Sequence, residues 1–426
     1  MLDLVGEFEA RGLVHQVSSE ALRGRLLAGP VTGYVGFDPT GASLHVGSLL
    51  PVLALVRLQR AGHRPIALVG GGTGLIGDPS GKQSERAMLS REALEANLQG
   101  LRASIGRFLD FSGAHAAVLE DNAAWLSELG LLAFLRDVGK HFSVNAMIAR
   151  DSVKNRLEGR EQGISFTEFS YMLLQAYDFV ALSRRHGCEL QLGGSDQWGN
   201  IVSGVELLRR LDGKDAYGLT WPLVTKADGT KFGKSEQGNV WLDPKLTSPF
   251  AFYQFWVNTP DADVGRFLRQ CTFLPVKDVE HTLEAHAREP ALRGAQLALA
   301  SEVTRLVHGP EALASAERTT RALFHGGDLR SLSEGELAQG LQDAPEHPLP
   351  KSALGTQEAS LVAVLVASGL YDSRGRARAE VAQGAVSINN EKSKDIHRLL
   401  AITDLLPGAL VVLRRGRKEH RVLRVR

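Results

Sequence analysis

Short apolar runs alternate along the first half of the chain with longer stretches in which apolar residues recur every three or four positions. Residues 31–37, 65–70, 116–120, 188–193 and 222–225 are brief, aliphatic or β-branched, and bounded by Gly, Pro or polar clusters, which marks them as strands. Helical stretches such as 45–61 and 167–182 lie between them. This alternation predicts an α/β, Rossmann-like fold with a parallel sheet covered on both faces and ligands at the carboxyl ends of its strands. From 249 to about 332 the pattern is helical throughout, with no convincing strand. Residues 342–351 carry Pro345, Pro348 and Pro350 and read as an extended linker. The expected parts are therefore 1–248 (α/β), 249–340 (helical), a linker at 341–352, and a small α+β tail at 353–426.

Composition sharpens that division. A length of 426 residues suits about three domains, and 43% hydrophobic content can fill their cores. The formal net charge of +1 hides an asymmetry: residues 353–426 hold 13 Lys and Arg against 7 Asp and Glu, and residues 1–352 hold 36 against 41. The basic tail is the nucleic-acid candidate. Cys188 and Cys271 stand far apart without C-x-x-C spacing, which argues against a disulfide framework and a structural zinc site. No apolar run of membrane-spanning length is free of charge or glycine, and the N-terminus lacks secretory-signal features, so a cytoplasmic protein that binds no membrane is expected.

Two segments carry the chemistry. Pro39 to Ser48 links the first predicted strand to a long apolar helix, a junction that aims free N–H groups and the positive helix end at an anion. His45 and Ser48, three apart, would share a face there and donate to phosphate or ribose oxygens. Far downstream, Lys231-Phe232-Gly233-Lys234-Ser235 sets two lysines and a hydroxyl around a glycine in a loop, point charges able to follow a phosphate. A third feature is a stripe of Thr167, Glu168, Tyr171, Gln175 and Asp178 at helical spacing. Taken alone, that stripe is what a solvated helix face looks like.

The first two segments, in this order, resemble the H-x-G-H and K-M-S-K-S motifs of class I aminoacyl-tRNA synthetases. The K-F-G-K-[ST] form, together with Tyr34-Val35-Gly36-Phe37-Asp38-Pro39-Thr40 and Gly193-Gly194-Ser195-Asp196-Gln197-Trp198-Gly199-Asn200, narrows the resemblance to bacterial-type tyrosyl-tRNA synthetases over nearly the whole chain. The resemblance implies an enzyme that joins L-tyrosine to ATP and then to tRNA(Tyr), with Mg²⁺ as the nucleotide's companion, no tightly bound prosthetic group, no metal held by the protein and a homodimeric state. It assigns Tyr34 and Asp178 to the substrate phenol, and Asp78, Tyr171 and Gln175 to its ammonium. Asp196 and Gln197 would meet adenylate ribose and substrate, and Lys82 and Arg86 the leaving pyrophosphate. Asp38, Thr40, His45 and Gly47 would bind ATP, with Ser48, Lys231, Lys234 and Ser235 completing the charge-stabilising set.

Three positions depart from the family pattern. Ser48 stands in place of a second histidine, Val35 where a polar side chain could reach ribose, and Pro51 inside the predicted helix, where it is expected to free a carbonyl near Gly47 and kink the helix.

Other readings remain open. Gly72-Thr73-Gly74-Leu75-Ile76-Gly77 satisfies a dinucleotide-binding G-x-G-x-x-G, but Asp78-Pro79-Ser80-Gly81 breaks the helix that should follow. A phosphate-binding G-x-x-x-x-G-K-[ST] loop fails at Ile76 and Gln83. A non-catalytic RNA-binding scaffold and a tryptophan-specific synthetase are the other rivals. The tail from 353 to 412 resembles an S4-type RNA-binding domain; Arg374, Arg376 and Arg378 taken alone read as ordinary surface charge, but with Arg414 and Arg415 beyond it added, a phosphate-contacting surface is the favoured reading.

Overall fold

A computed structural model describes residues 2–78, 90–150, 153–154, 157, 164–225, 232–235, 238–416 and 419–426. They form two compact units, one from Met1–Thr247 with Trp256–Val303, the other from Ser248–Phe255 with Thr304–Arg426.

In the first unit the described strands β1 (Gln16–Val17), β2 (Thr32–Phe37), β3 (Arg64–Val69), β4 (Val118–Asp121), β5 (Cys188–Gly194) and β6 (Tyr217–Trp221) build one sheet in the order β1-β6-β5-β2-β3-β4. All pairings are parallel except β1 with β6. From β2 the chain moves to β3 on one side, whereas β5 pairs with β2 on the other, through Tyr34↔Gln191. The carboxyl ends of β2 and β5 therefore flank the point where the winding reverses, which is where open α/β sheets leave a crevice. A short antiparallel pair, β7 (Lys234–Ser235) and β8 (Gly238–Asn239), belongs to the second sequence motif.

Helix Phe166–His186 starts at Ser165, whose hydroxyl accepts from the Glu168 N–H, and stops at Gly187 in the left-handed conformation (φ 65°). Its apolar side packs Phe179, Val180 and Leu182 with Ile66, Leu68, Leu207 and Leu208. Cys188 is fully buried in the same cluster, a small apolar filler as its surroundings in the sequence suggest.

Two expectations are corrected here. The strand expected at 222–225 lies earlier, at Tyr217–Trp221, because Tyr, Leu, Thr and Trp suit a pleated surface and Pro222 has no N–H for the ladder. Pro51 does not break its helix: Leu49–Arg60 begins so late that Pro51 falls in the first turn, where N–H groups have no intrahelical acceptor.

The second unit holds a sheet of described strands in the order β11-β10-β12-β13-β9, with β9 Glu346–Leu349, β10 Val386–Ile388, β11 Glu391–Ser393, β12 Leu410–Arg415 and β13 Glu419–Val425. Helices Leu361–Ala367 and Arg374–Ala382 pack on it. Residues 346–349, expected inside a linker, are thus a sheet strand, paired in parallel from Val422↔Glu346 to Val425↔Leu349. Proline enforces the extended backbone as anticipated, and an edge position tolerates its missing donor. The expected boundary near 341–352 also differs from the observed units. Phe250, Leu323, Leu329, Leu332, Leu337 and Leu341 share one apolar cluster with Leu406, Leu410, Val412 and Val422, so the end of the helical stretch finds its cover on the tail.

Candidate active site

The carboxyl ends of β2, β3 and β5 and the turns after them enclose a cleft of about 470 Å³. Tyr34, Asp38, His45, Gly47, Asp78, Tyr171, Gln175, Asp178, Asp196 and Gln197 line it, so most of the residues singled out in the sequence converge. Thr40 and Ser48 are not among its lining, and Thr40 is exposed.

At the deep end the polar stripe of helix Phe166–His186 faces inward. Glu168, Tyr171 and Asp178 are buried, and Thr167 and Gln175 are partly so, which excludes a solvated face. Asp178 is 2% exposed. One of its oxygens accepts from Trp125 Nε1 at 2.7 Å and the other from Asn122 Nδ2 at 3.0 Å. Burial pushes this carboxyl up to about 7; the two hydrogen bonds pull it back, and the nearby charges of Asp38 and Asp121 add to the rise. Tyr34, 1% exposed, lines the same pocket, and among the described residues neither its hydroxyl nor Gln191 Oε1 has a hydrogen-bond partner. Burial, with the charge of Asp178, holds the Tyr34 phenol well above its ordinary range, so it stays a neutral donor. A buried hydroxyl without a partner costs about 1–3 kcal/mol, and a ligand hydroxyl bonded between Tyr34 and Asp178 would recover it.

An amide network fills the middle. Gln197 Nε2 donates to Asp78 Oδ2 (2.9 Å), Gln175 Nε2 donates to Gln197 Oε1 (3.2 Å), and Asn200 Nδ2 donates to Gln175 Oε1 (2.9 Å). The Tyr171 hydroxyl donates to Asp38 Oδ1 at 3.3 Å. Burial, reinforced by the Asp78 charge, raises the Asp196 carboxyl. Carboxylates and amide oxygens crowded in this way are acceptors suited to an ammonium group.

The two sequence motifs meet at the rim. His45 is extended (φ −115°, ψ 172°) and caps the Val46–Ser48 turn, its Nδ1 accepting the Gly47 N–H at 3.0 Å. In the neutral ring the proton then sits on Nε2. The expected His45/Ser48 helix face is corrected accordingly: a turn intervenes, and Ser48 is where it hands over to the Leu49–Arg60 helix. The Val46 N–H donates to the Val240 carbonyl (2.9 Å), and the Val240 N–H to the Gly233 carbonyl (3.1 Å). Gly233 has φ 102°, and a Cβ there would lie 3.1 Å from the Gly47 nitrogen and 3.4 Å from His45 Nδ1. Backbone contact between the motifs therefore requires glycine at 233.

Lys82, Arg86 and Lys231 lie outside the described residues. Lys234 and Ser235 contribute the β7 backbone, Lys234 opposite Asn239. In the second unit Arg374, Arg376 and Arg378 are exposed on a helix capped by Ser373. Arg414 and Arg415 differ from them. Arg414 donates to Asn390 Oδ1 (2.8 Å), and Arg415 pairs with Glu419 (3.3 Å) and lies over the Tyr371 ring. Both therefore hold the tail together as well as adding charge.

Sequence reasoning missed Asn122, Trp125, Thr73 and Asn200. The available signal was position: Asn122 directly follows β4, at the carboxyl end where ligands of such sheets gather.

With the geometry in place, comparison with known proteins places the chain. A family model described as tRNA synthetases class I (W and Y) matches residues 27–325, and one described as the tyrosine–tRNA ligase SYY-like C-terminal domain matches 336–423. The chain belongs to the class I tRNA synthetases of the tryptophan and tyrosine family. Within that family it is 53% identical to the tyrosine–tRNA ligase of Roseiflexus castenholzii over 426 residues, 100% of each chain. It is 50% identical to that of Yersinia pseudotuberculosis over 98% of each. Among solved structures, a C-terminally truncated mitochondrial tyrosyl-tRNA synthetase of Aspergillus nidulans superposes with TM-score 0.68 at 32% identity, covering 76% of this chain and 95% of its own.

Proposed function

We infer that this chain is a tyrosine–tRNA ligase: it joins L-tyrosine to ATP, giving tyrosyl-AMP and pyrophosphate, and passes the tyrosyl group to the 3′-terminal ribose of tRNA(Tyr). The observation that carries the reading is the buried Asp178 and Tyr34 pair at the blind end of a cleft whose rim is formed by the two motifs. A phenol placed there would donate to Asp178 and accept from Tyr34, and an indole or phenyl ring would leave one or both unpaired.

The substrate ammonium would lie among Asp78, Tyr171, Gln175 and Gln197. Its carboxylate, ionised at neutral pH, attacks the α-phosphorus without a general base. The protein supplies positioning and charge stabilisation: His45 Nε2 and the helix start on one side, and Lys82, Arg86, Lys231, Lys234 and Ser235 on the pyrophosphate side. Asp38, Gly47 and Asp196, which line the cleft, would hold the nucleoside. Mg²⁺ would travel with the triphosphate and offset its charge, and cleft carboxylates such as Asp38 offer the hard oxygen donors it takes.

Arg374, Arg376 and Arg378 would take tRNA phosphates, with Arg414 and Arg415 behind them. A homodimer would give cover to large apolar side chains exposed in the first unit, among them Leu131 (71% exposed), Leu132 (81%), Val144, Ile148 and Phe166 (76%). The proposed setting is the cytoplasm, and among the described residues no helix is long and apolar enough to cross a membrane.

Pyrophosphate exchange measured with each of the twenty amino acids tests the reading. Tyrosine alone should support it, whereas exchange driven by tryptophan, or by none, would overturn it. For the tail, replacing Arg374, Arg376 and Arg378 together by Ala should leave exchange unchanged and cut tRNA charging roughly tenfold or more, with a shallower salt dependence. Normal charging would remove the RNA role from that helix.

A further inference from the structure

Helix Asp261–Cys271 has no part in the chemistry above, yet of two adjacent residues on it one reaches the segment before the second motif and the other reaches the motif itself. Arg266 Nη2 donates to the carbonyl of Thr225, the last described residue before that motif and part of the cleft lining. The guanidinium is held in turn by Asp263 Oδ1 at 2.6 Å, and Asp263 is 2% exposed. Phe267, 1% exposed, packs against Phe232 inside the motif, ring centroids 4.4 Å apart, and Trp256 closes the socket 5.6 Å from Phe232. The Arg266 guanidinium lies 5.1 Å over the Phe267 ring, so the two grips are one assembly.

From Phe232 the connection to the reacting end of the cleft is direct. Its carbonyl lies 3.4 Å from where a Gly47 Cβ would be, and the next residue, Gly233, abuts His45. A shift of Phe232 would therefore move backbone that touches the first motif. An apolar phenylalanine between the charges of Lys231 and Lys234 has a physical reason in this arrangement: it plugs the motif into a buried aromatic socket at one fixed depth.

We propose that Arg266 and Phe267 are positioning residues for amino-acid activation, seating the second motif and the segment that leads into it against His45 and Gly47. Neither touches substrate. Their effect falls on the step in which charge develops on the phosphates, where small displacements of stabilising groups cost most. The tyrosine pocket, built from the Phe166–His186 helix, β2 and β4, does not depend on them.

The inference rests on the tyrosine-ligase reading, and the test separates the two. Pre-steady-state adenylate formation and equilibrium tyrosine binding are measured on the full chain for wild type, Arg266→Ala, Arg266→Lys and Phe267→Leu. Arg266→Ala should slow adenylate formation at saturating ATP and tyrosine by roughly tenfold or more, with tyrosine affinity unchanged within about twofold. Arg266→Lys, which keeps a cationic donor, should recover part of the rate, and Phe267→Leu should show the same split between rate and affinity. Should Arg266→Ala fail to fold, the other two variants decide. Wild-type rates in the variants, or tyrosine affinity falling in step with the rate, would overturn the proposal. A wild-type enzyme that forms no adenylate with tyrosine would instead overturn the functional reading.

Discussion

At the deep end of the cleft, Asp178 is fixed on both oxygens by Trp125 and Asn122, and Asn122 Nδ2 also reaches the Thr73 hydroxyl at 2.9 Å. At the rim, the motifs touch through the backbone of Gly47 and Gly233, with His45 Nδ1 accepting the Gly47 N–H. The first arrangement stores recognition in buried, over-determined side chains borne on a helix and on strand ends. The second fixes where the two motifs meet through short backbone contacts. Recognition of one hydroxyl gains from rigidity, because a mismatched ligand then leaves buried groups unpaired. Stabilising a transition state gains from groups that bind it better than the ground state, which a fully rigid cage fitted to bound ATP would not do.

The sharpest way to break this contrast is to remove the deep acceptor. Asp178→Ala takes away a hydrogen bond to a charged group worth about 1.5–3 kcal/mol, so preference for tyrosine over phenylalanine should fall roughly tenfold to more than a hundredfold. Amino-acid-dependent exchange with both substrates reads this directly, and an unchanged preference would show that the phenol is recognised elsewhere. Substitution at the rim should do the opposite. Gly233→Ala forces a left-handed backbone on a residue with a Cβ and presses it on Gly47, at a cost of about 1–2 kcal/mol. Adenylate formation should slow roughly fivefold to thirtyfold while tyrosine binding stays intact. Loss of tyrosine affinity in that variant would mean that rim and floor are not separable.

Much of this site was legible in the chain because its chemistry is local. His45 to Ser48 and Lys231 to Ser235 are contiguous, and their residue types suffice to suggest phosphate binding. The Tyr171, Gln175 and Asp178 stripe was visible too, but not its direction, since an amphipathic period cannot tell a solvated face from one lining a cleft. Contacts across long separations were not legible. Asn122 and Trp125 meet Asp178 because β4 pairs with β3, and Phe232 meets Phe267 because a helix from a later segment packs there. The missed strand at 346–349 has the same origin. Its partner is β13, more than seventy residues away, and three prolines locally describe extended chain equally well as linker or as sheet edge.

The smallest expected effect sharpens the contrast by pH. Asp178 is raised from its ordinary value of 3.8 to about 7, chiefly by burial. Its folded-state pKa lies above the unfolded one, so the stability associated with the protonated acid is fully present below about pH 4 and is lost as pH rises through about 7. Binding should move the other way, since the ionised carboxylate is the stronger acceptor for a phenol. Between about pH 6 and about pH 8 tyrosine affinity should therefore rise a few-fold while the melting temperature of the unliganded protein declines. Asp178→Asn keeps the shape and abolishes the titration, so both slopes should flatten in that variant. The rim variant Gly233→Ala should keep both, because the group that titrates lies at the other end of the cleft. If Asp178→Asn retained the wild-type slopes, the titrating group would have to be sought at Asp196, whose carboxyl burial also raises. That carboxylate belongs to the proposed nucleoside side of the cleft, so the pH response would then report that region instead of the phenol pocket.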